Sequence, residues 1–105
     1  MKTGQTAAVS GTGVRVTFLR VEQDSRCPVD VTCIRAGDAT VVLRVEGRGG
    51  ASEEISLLIG VEETPKSTAQ AHGLAFTALV LAPAPISTQT LTQADYTLRV
   101  VARQA

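Results

Sequence analysis

A chain of 105 residues with 44% hydrophobic and 19% charged content makes one globular domain, large enough for a single two-layer core and too short for two. Ten basic residues against ten acidic ones leave zero formal charge, which argues against nucleic acid and anionic membrane as partners. Aromatic content of 3% leaves few rings for stacking sugars or single-stranded bases, and a sequence without asparagine has no N-linked glycosylation site.

The chain opens Met1-Lys2-Thr3-Gly4-Gln5, without the basic-then-apolar pattern of a signal peptide. No stretch approaches the ~18 apolar residues of a membrane span. The expectation is a cytosolic protein or one whose export signal, or lipid anchor, lies upstream of Met1; the cysteines below favour export. Residues 6–10 read as a weak first strand, and Gly11-Thr12-Gly13 as a turn. Val14, Val16 and Phe18 alternate with Arg15 and Thr17, the period-two signature of a half-buried strand. The phase slips at Phe18-Leu19, where a β-bulge is expected, and Leu19 and Val21 carry the apolar face onward.

After the cysteine segment, Val41, Leu43 and Val45 share one face of a strand over residues 39–46, and Gly47-Arg48-Gly49-Gly50 turns the chain. Ile55, Leu57 and Ile59 face inward on the way back. Residues 60–73 break the rhythm and read as a crossover between sheets with one helical turn around residues 67–71. Residues 74–82 form an apolar strand ended by Pro83-Ala84-Pro85, since proline cannot donate to a ladder. Residues 86–95 are a polar connection, and Tyr96, Leu98 and Val100 mark the last strand. Short strands parted by turns, with no long helical period, predict an all-β fold: a single antiparallel β-sandwich over residues 1–105, about seven strands, immunoglobulin-like or related, with one small disulfide loop.

Both cysteines lie in Asp24-Ser25-Arg26-Cys27-Pro28-Val29-Asp30-Val31-Thr32-Cys33-Ile34-Arg35-Ala36-Gly37-Asp38. Six extended residues would hold Cys27 and Cys33 ~20 Å apart, whereas a disulfide needs Cα atoms ~5.5 Å apart, so a bridge requires the segment to fold back. Pro28 fixes φ for a turn, and Asp30 can bond its own downstream backbone. Zinc asks for four ligands in paired clusters, and a redox dithiol usually reads Cys-x-x-Cys at a helix start. Both fit this spacing less well than a structural bridge; two buried free thiols are the plainest alternative.

The block from Asp24 to Ala39, preceded by Val14-Arg15-Val16-Thr17-Phe18, resembles an uncharacterised family of small bacterial exported or lipoprotein-type domains. Their hallmark is an Asp-Ser-Arg-Cys-Pro segment, a second cysteine soon after, and an Ala-Gly step into a strand. The strand ending Pro83-Ala84-Pro85 and the Tyr96-led strand resemble that pattern too. The resemblance implies export and a β-sandwich and carries no established activity; Arg35 departs from it, standing where an aromatic residue is often expected.

Other groups are weighed against plainer roles. Asp24, Asp30 and Asp38 could supply oxygens to a hard cation, but they lack the alternating pattern of a calcium loop and read as turn caps paired with Arg26 or Arg35. Gly11-Thr12-Gly13 precedes a strand instead of the helix a dinucleotide loop needs. His72 comes without a nucleophile-elbow pattern and reads as a surface-loop histidine, while Glu53-Glu54 and Glu62-Glu63 read as solvated strand ends. Loops carry binding while the scaffold holds shape, so residues 60–73 and the cystine loop are the places for recognition, a stapled loop being preorganised. The expectation is a non-catalytic extracytoplasmic binding or structural module, without cofactor or metal, that meets an envelope or extracellular protein through Asp24, Arg26, Pro28, Asp30 and Arg35; a protease-inhibitor-like role is one version. The alternative is a small periplasmic metal- or redox-handling protein using Cys27 and Cys33. An enzyme ranks third, because acid–base chemistry needs convergent titratable groups.

Overall fold

Alternating apolar residues become seven antiparallel strands: β1 (Thr6–Val9), β2 (Val14–Asp24), β3 (Asp38–Glu46), β4 (Ser52–Gly60), β5 (Thr68–Ala71), β6 (Leu74–Ala82) and β7 (Thr97–Gln104). The computed structural model describes residues 1–28, 30–34, 37–60, 67–84, 86, 88 and 90–104. Strands β1-β2-β3-β4 form one sheet and β5-β6-β7 the other. The all-β sandwich expected from the sequence is therefore the fold. Every hydrogen-bonded neighbour is also a sequence neighbour, so each sheet is a meander and the Greek-key order of immunoglobulin domains does not occur among the described strands.

The core is one cluster between the sheets. Val14, Val16, Phe18 and Val21 of β2, Val41, Leu43 and Val45 of β3, and Ile55, Leu57 and Ile59 of β4 meet Leu74, Phe76, Ala78 and Leu81 of β6 and Leu98 of β7. Two of the long strands, β2 and β6, slip register, while β3 and β4 pair without a slip. Phe18 pairs with Leu43 and Arg20 with Val42, leaving Leu19 over, which is the bulge expected at Phe18-Leu19. A second slip comes between Val21 and Gln23, after which Asp24 pairs with fully buried Ala39. Directly opposed residues share a face, so this slip turns Asp24 to the inside of the sandwich. In β6 the slip between Ala78 and Val80 lets Leu81 rejoin the core.

One expected element is corrected. Residues 67–71 contain no helical turn: Thr68–Ala71 is strand β5, joined to β6 by a two-residue hairpin at His72-Gly73. Both turn residues have positive φ, 51° at His72 and 77° at Gly73, as the tightest hairpins require. The expected crossover between sheets is present, since β4 ends one sheet and β5 begins the other; residues 61–66, with Glu62 and Glu63, lie outside the described residues. In the last connection Gln93–Asp95 is a 3₁₀ turn, and the Gln93 side-chain amide behaves as a strand. Its Oε1 accepts from Val21 N–H and its Nε2 donates to Val21 O, both at 2.8 Å. No helix among the described residues is long and apolar enough to cross a membrane.

Candidate functional site: the cystine loop and its root

The connection between β2 and β3 holds the two cysteines, and its first residues are locked into the end of the sandwich. Asp24, turned inward by the second bulge, receives a two-pronged hydrogen bond from Arg26, Nε to Oδ1 and Nη2 to Oδ2, both at 2.8 Å. Arg26 Nη1 donates to Leu81 O at 2.7 Å and Nη2 to Pro83 O at 3.1 Å. The Tyr96 hydroxyl donates to Asp24 Oδ2 at 2.9 Å. This cluster ties the end of one sheet to the ends of β6 and β7 in the other. Arg26 and Tyr96 are 7% and 5% exposed, and among the described residues no buried side-chain nitrogen or oxygen lacks a partner.

A buried charge pair persists when its remaining donors and acceptors are satisfied, and this one meets that condition. Burial pushes the Asp24 carboxyl up, but the Arg26 guanidinium and the Tyr96 hydroxyl outweigh it and hold the pKa below its ordinary value. Burial, then the hydrogen bond to the Asp24 carboxylate, push the Tyr96 phenol up to about 12. At the other end of the connection, Ser25 N–H and Oγ both donate to Asp38 O at 2.8 Å. A Cβ at Gly37, where φ is 73°, would run into the Ser25 carbonyl, so the approach of the two strands requires glycine there.

Beyond this root the chain leaves the domain. Cys27 and Cys33 are joined as a disulfide with Cα atoms 6.0 Å apart, and Val31 N–H donates to Pro28 O at 3.3 Å, an i to i+3 turn inside the ring. Here the polarity inverts: Val31, within the ring, is 45% exposed, and Ile34, the residue after Cys33, is fully exposed.

The residues expected to form one recognition loop thus divide. Asp24 and Arg26 are corrected from contact residues to internal ones, because the bulge and the guanidinium's hydrogen bonds spend their polar atoms inside the domain. Pro28 and Asp30 stay on the loop, half-buried and exposed. Arg35 lies outside the described residues. Asp24 pairs with Arg26 as read from the sequence, and no cluster of three or more potential metal ligands occurs among the described residues. His72 occupies the exposed β5–β6 turn with Nε2 4.0 Å from Glu53 Oε1.

Sequence reasoning missed Tyr96 as the third member of the root and Ile34 as the most exposed large apolar side chain among the described residues. A buried tyrosine hydroxyl needs a partner, which was a usable signal. Ile34 carried none, since one isoleucine after a cysteine reads the same buried or bare. Comparisons with protein-family models, curated proteins and solved structures give no match.

Proposed function

We propose that the protein is a non-catalytic extracytoplasmic recognition module that presents the tip of its cystine loop to another protein of the envelope or extracellular space. The observation that carries this reading is Ile34, fully exposed on the residue after Cys33, together with a half-exposed Val31 inside the ring that the disulfide closes, on a connection rooted by Arg26. Scattered exposed apolar residues are ordinary on protein surfaces. One inside a covalently closed ring and one on the residue that follows its second cysteine offer a preorganised apolar contact, which loses little conformational freedom on docking. Disulfides persist in oxidising compartments, which supports an extracytoplasmic location, as does the resemblance to exported and lipoprotein-type bacterial domains. Insertion of such a tip into the cleft of a protease is one specific version.

The test compares capture of proteins from the envelope and culture medium by the unaltered, oxidised protein and by Val31→Asp and Ile34→Asp. Leu58→Asp, on an exposed strand position, serves as control. A partner retained by the parent and by Leu58→Asp, and lost by both loop variants, is the expected outcome. Partners retained equally by Ile34→Asp would remove the loop tip as the recognition element. Reversible reduction at mild potentials with an unchanged fold would favour redox handling instead.

A further inference from the structure

The two ends of the sandwich carry different side chains. The turns at one end, Gly11 to Gly13, Gly47 to Gly50 and His72-Gly73, are made of glycine, threonine, arginine and histidine. The β2–β3 and β6–β7 connections lie at the other. Among the described residues the exposed large apolar side chains are Val31, Ile34, Leu58 and Ile86, and all but Leu58 stand on these two connections. Arg26 joins the two. It precedes Cys27 and donates to Leu81 O and Pro83 O, where β6 gives way to its connection. Loops gathered at one end of a sandwich can act as one composite surface, as in immunoglobulin variable domains.

Beside Pro83 an open cleft of about 410 Å³ is lined by Pro83, Thr90, Leu91 and Asp95. Asp95 ends the 3₁₀ turn, and its Oδ2 accepts from Thr92 N–H at 2.8 Å and from Thr92 Oγ1 at 3.1 Å. Those bonds hold the carboxyl below its ordinary pKa, so it is a carboxylate at neutral pH. Its Oδ1 has no hydrogen-bond partner among the described residues, and Lys2 acts on it at longer range, without an ion pair. Pro83 and Leu91 add apolar wall. That combination suits a lysine or arginine, whose methylene stem covers apolar surface while its charged head keeps a polar partner.

We propose that the partner met by the cystine-loop tip is held by both connections at once, through a contacting segment that is apolar and carries a basic side chain. Apolar residues of that segment cover Ile34 and Ile86, and its lysine or arginine enters the cleft and pairs with Asp95. This rests on the reading of the tip as a contact and adds the class of partner. Arg26 fixes the tip and the cleft relative to each other from inside the domain, so the surface is set before the partner arrives. An acidic segment would meet Asp95 with like charge, and such repulsion is how an interface rejects wrong partners.

The probe is a set of end-blocked peptides of leucine and serine with one arginine, moved through each position. Eight extended residues span ~26 Å, against 25 Å for the molecule across its long axis. Added to the intact, oxidised, isotope-labelled protein, the best of them shifts the amides of Ile34, Ile86, Leu91 and Asp95 along one saturation curve. The same peptide with citrulline for arginine, equal in shape and uncharged, binds about tenfold more weakly, a gap of about 1.4 kcal/mol. Asp95→Asn, which keeps an acceptor for Thr92, removes that difference, and a thermal melt checks its fold. Absence of binding at millimolar peptide overturns the proposal, as does equal binding of the citrulline peptide. Saturation by arginine amide alone would assign the cleft to a small cation and overturn it too. Shifts confined to Val31 and Ile34, without preference for arginine, would overturn it and leave the tip reading standing. Shifts at Ile86, Leu91 and Asp95 that persist at unchanged affinity in Ile34→Asp would overturn it together with the tip reading.

Discussion

The root and the tip of the β2–β3 connection are sequence neighbours with opposite solutions to the same solvent. At the root, a carboxylate and a guanidinium lie inside the sandwich, with Arg26 7% exposed. At the tip, an isoleucine is bare. Polar-in and apolar-out within one short segment reverses the usual partition, and the two halves tolerate it for different reasons. The root is polar inside because each guanidinium nitrogen of Arg26 finds an acceptor, two of these acceptors being backbone carbonyls at the end of β6. The tip is apolar outside, with Ile34 fully exposed, so its side chains are read for what they could meet. The comparison separates scaffold from surface at residue resolution, and it breaks if the root proves dispensable or the tip proves structural.

The largest expected effect is at the root. Arg26→Ala leaves the Asp24 carboxylate buried without its cation and removes the donors from Leu81 O and Pro83 O. Breaking one partner of a buried pair costs about 3–5 kcal/mol, a large part of the ~5–15 kcal/mol of a typical domain. Urea denaturation measures it, and a loss under about 1 kcal/mol, the range of solvent-exposed pairs, would show that solvent reaches the guanidinium in solution.

The staple comes next. Replacing both cysteines (Cys27→Ser, Cys33→Ser) releases a ring of sequence separation 6, and the chain-entropy model gives roughly 2–2.5 kcal/mol for a loop this short. The loss should stay local. Amide exchange quickens between the cysteines while the hydrogen bonds of Asp24, Arg26 and Tyr96 persist. Collapse of the root on removal of the disulfide would mean that staple and anchor act as one unit and the proposed division fails.

Tyr96→Phe is smaller, about 1.5 kcal/mol, the low end for a hydrogen bond to a charged group, because Asp24 keeps Arg26. The same pair sets two pH limits. Asp24 has a folded pKa below its ordinary value, so its stabilisation is present above the unfolded value near 4 and is lost as pH falls through the lower folded value. Tyr96 is raised to about 12 from 10.0, so its contribution is complete below about pH 10 and disappears between there and about 12. Tyr96→Phe should flatten the alkaline limb of a stability-against-pH curve and leave an acid limb. An unchanged alkaline limb would show that Tyr96 is not the group titrating there.

Strand positions were largely legible in the sequence, because alternation in β2, β3, β4 and β7 reports a face that must be buried, the apolar run of β6 stops at prolines, and the slip at Phe18-Leu19 was itself visible as a break in phase. The cysteine bridge was legible as well, from spacing and the proline after Cys27. Strand β5 was not: Thr68-Ala69-Gln70-Ala71 has short, weakly apolar side chains that suit a helical turn equally well, and what decides against helix is pairing with β6 through His72-Gly73. The inward aim of Asp24 was equally hidden, since it depends on a second one-residue slip at Glu22, after which Gln23 to Arg26 are all polar and leave no hydrophobic phase to follow. Alternation reports a bulge only where apolar residues continue on both sides of it, so the slip that built the root, with polar residues alone after it, had no signature while the slip that serves the core had a clear one.

The smallest expected effect is the one that most sharpens the contrast. Ile34→Ser should change folding stability by no more than about 0.5 kcal/mol, as for surface positions without structural contacts, because the side chain is fully exposed and its removal uncovers no neighbour. A domain gains nothing in its own folding by keeping an isoleucine there, whereas a partner's apolar pocket gains about 25 cal/mol for each Å² it covers. Stability within that margin, together with lost partner capture, would place the residue on the binding side of the comparison. A loss of 2 kcal/mol or more, the scale of a buried aliphatic side chain, would instead mean that the tip folds back onto the domain in solution, and the loop would then belong to the scaffold.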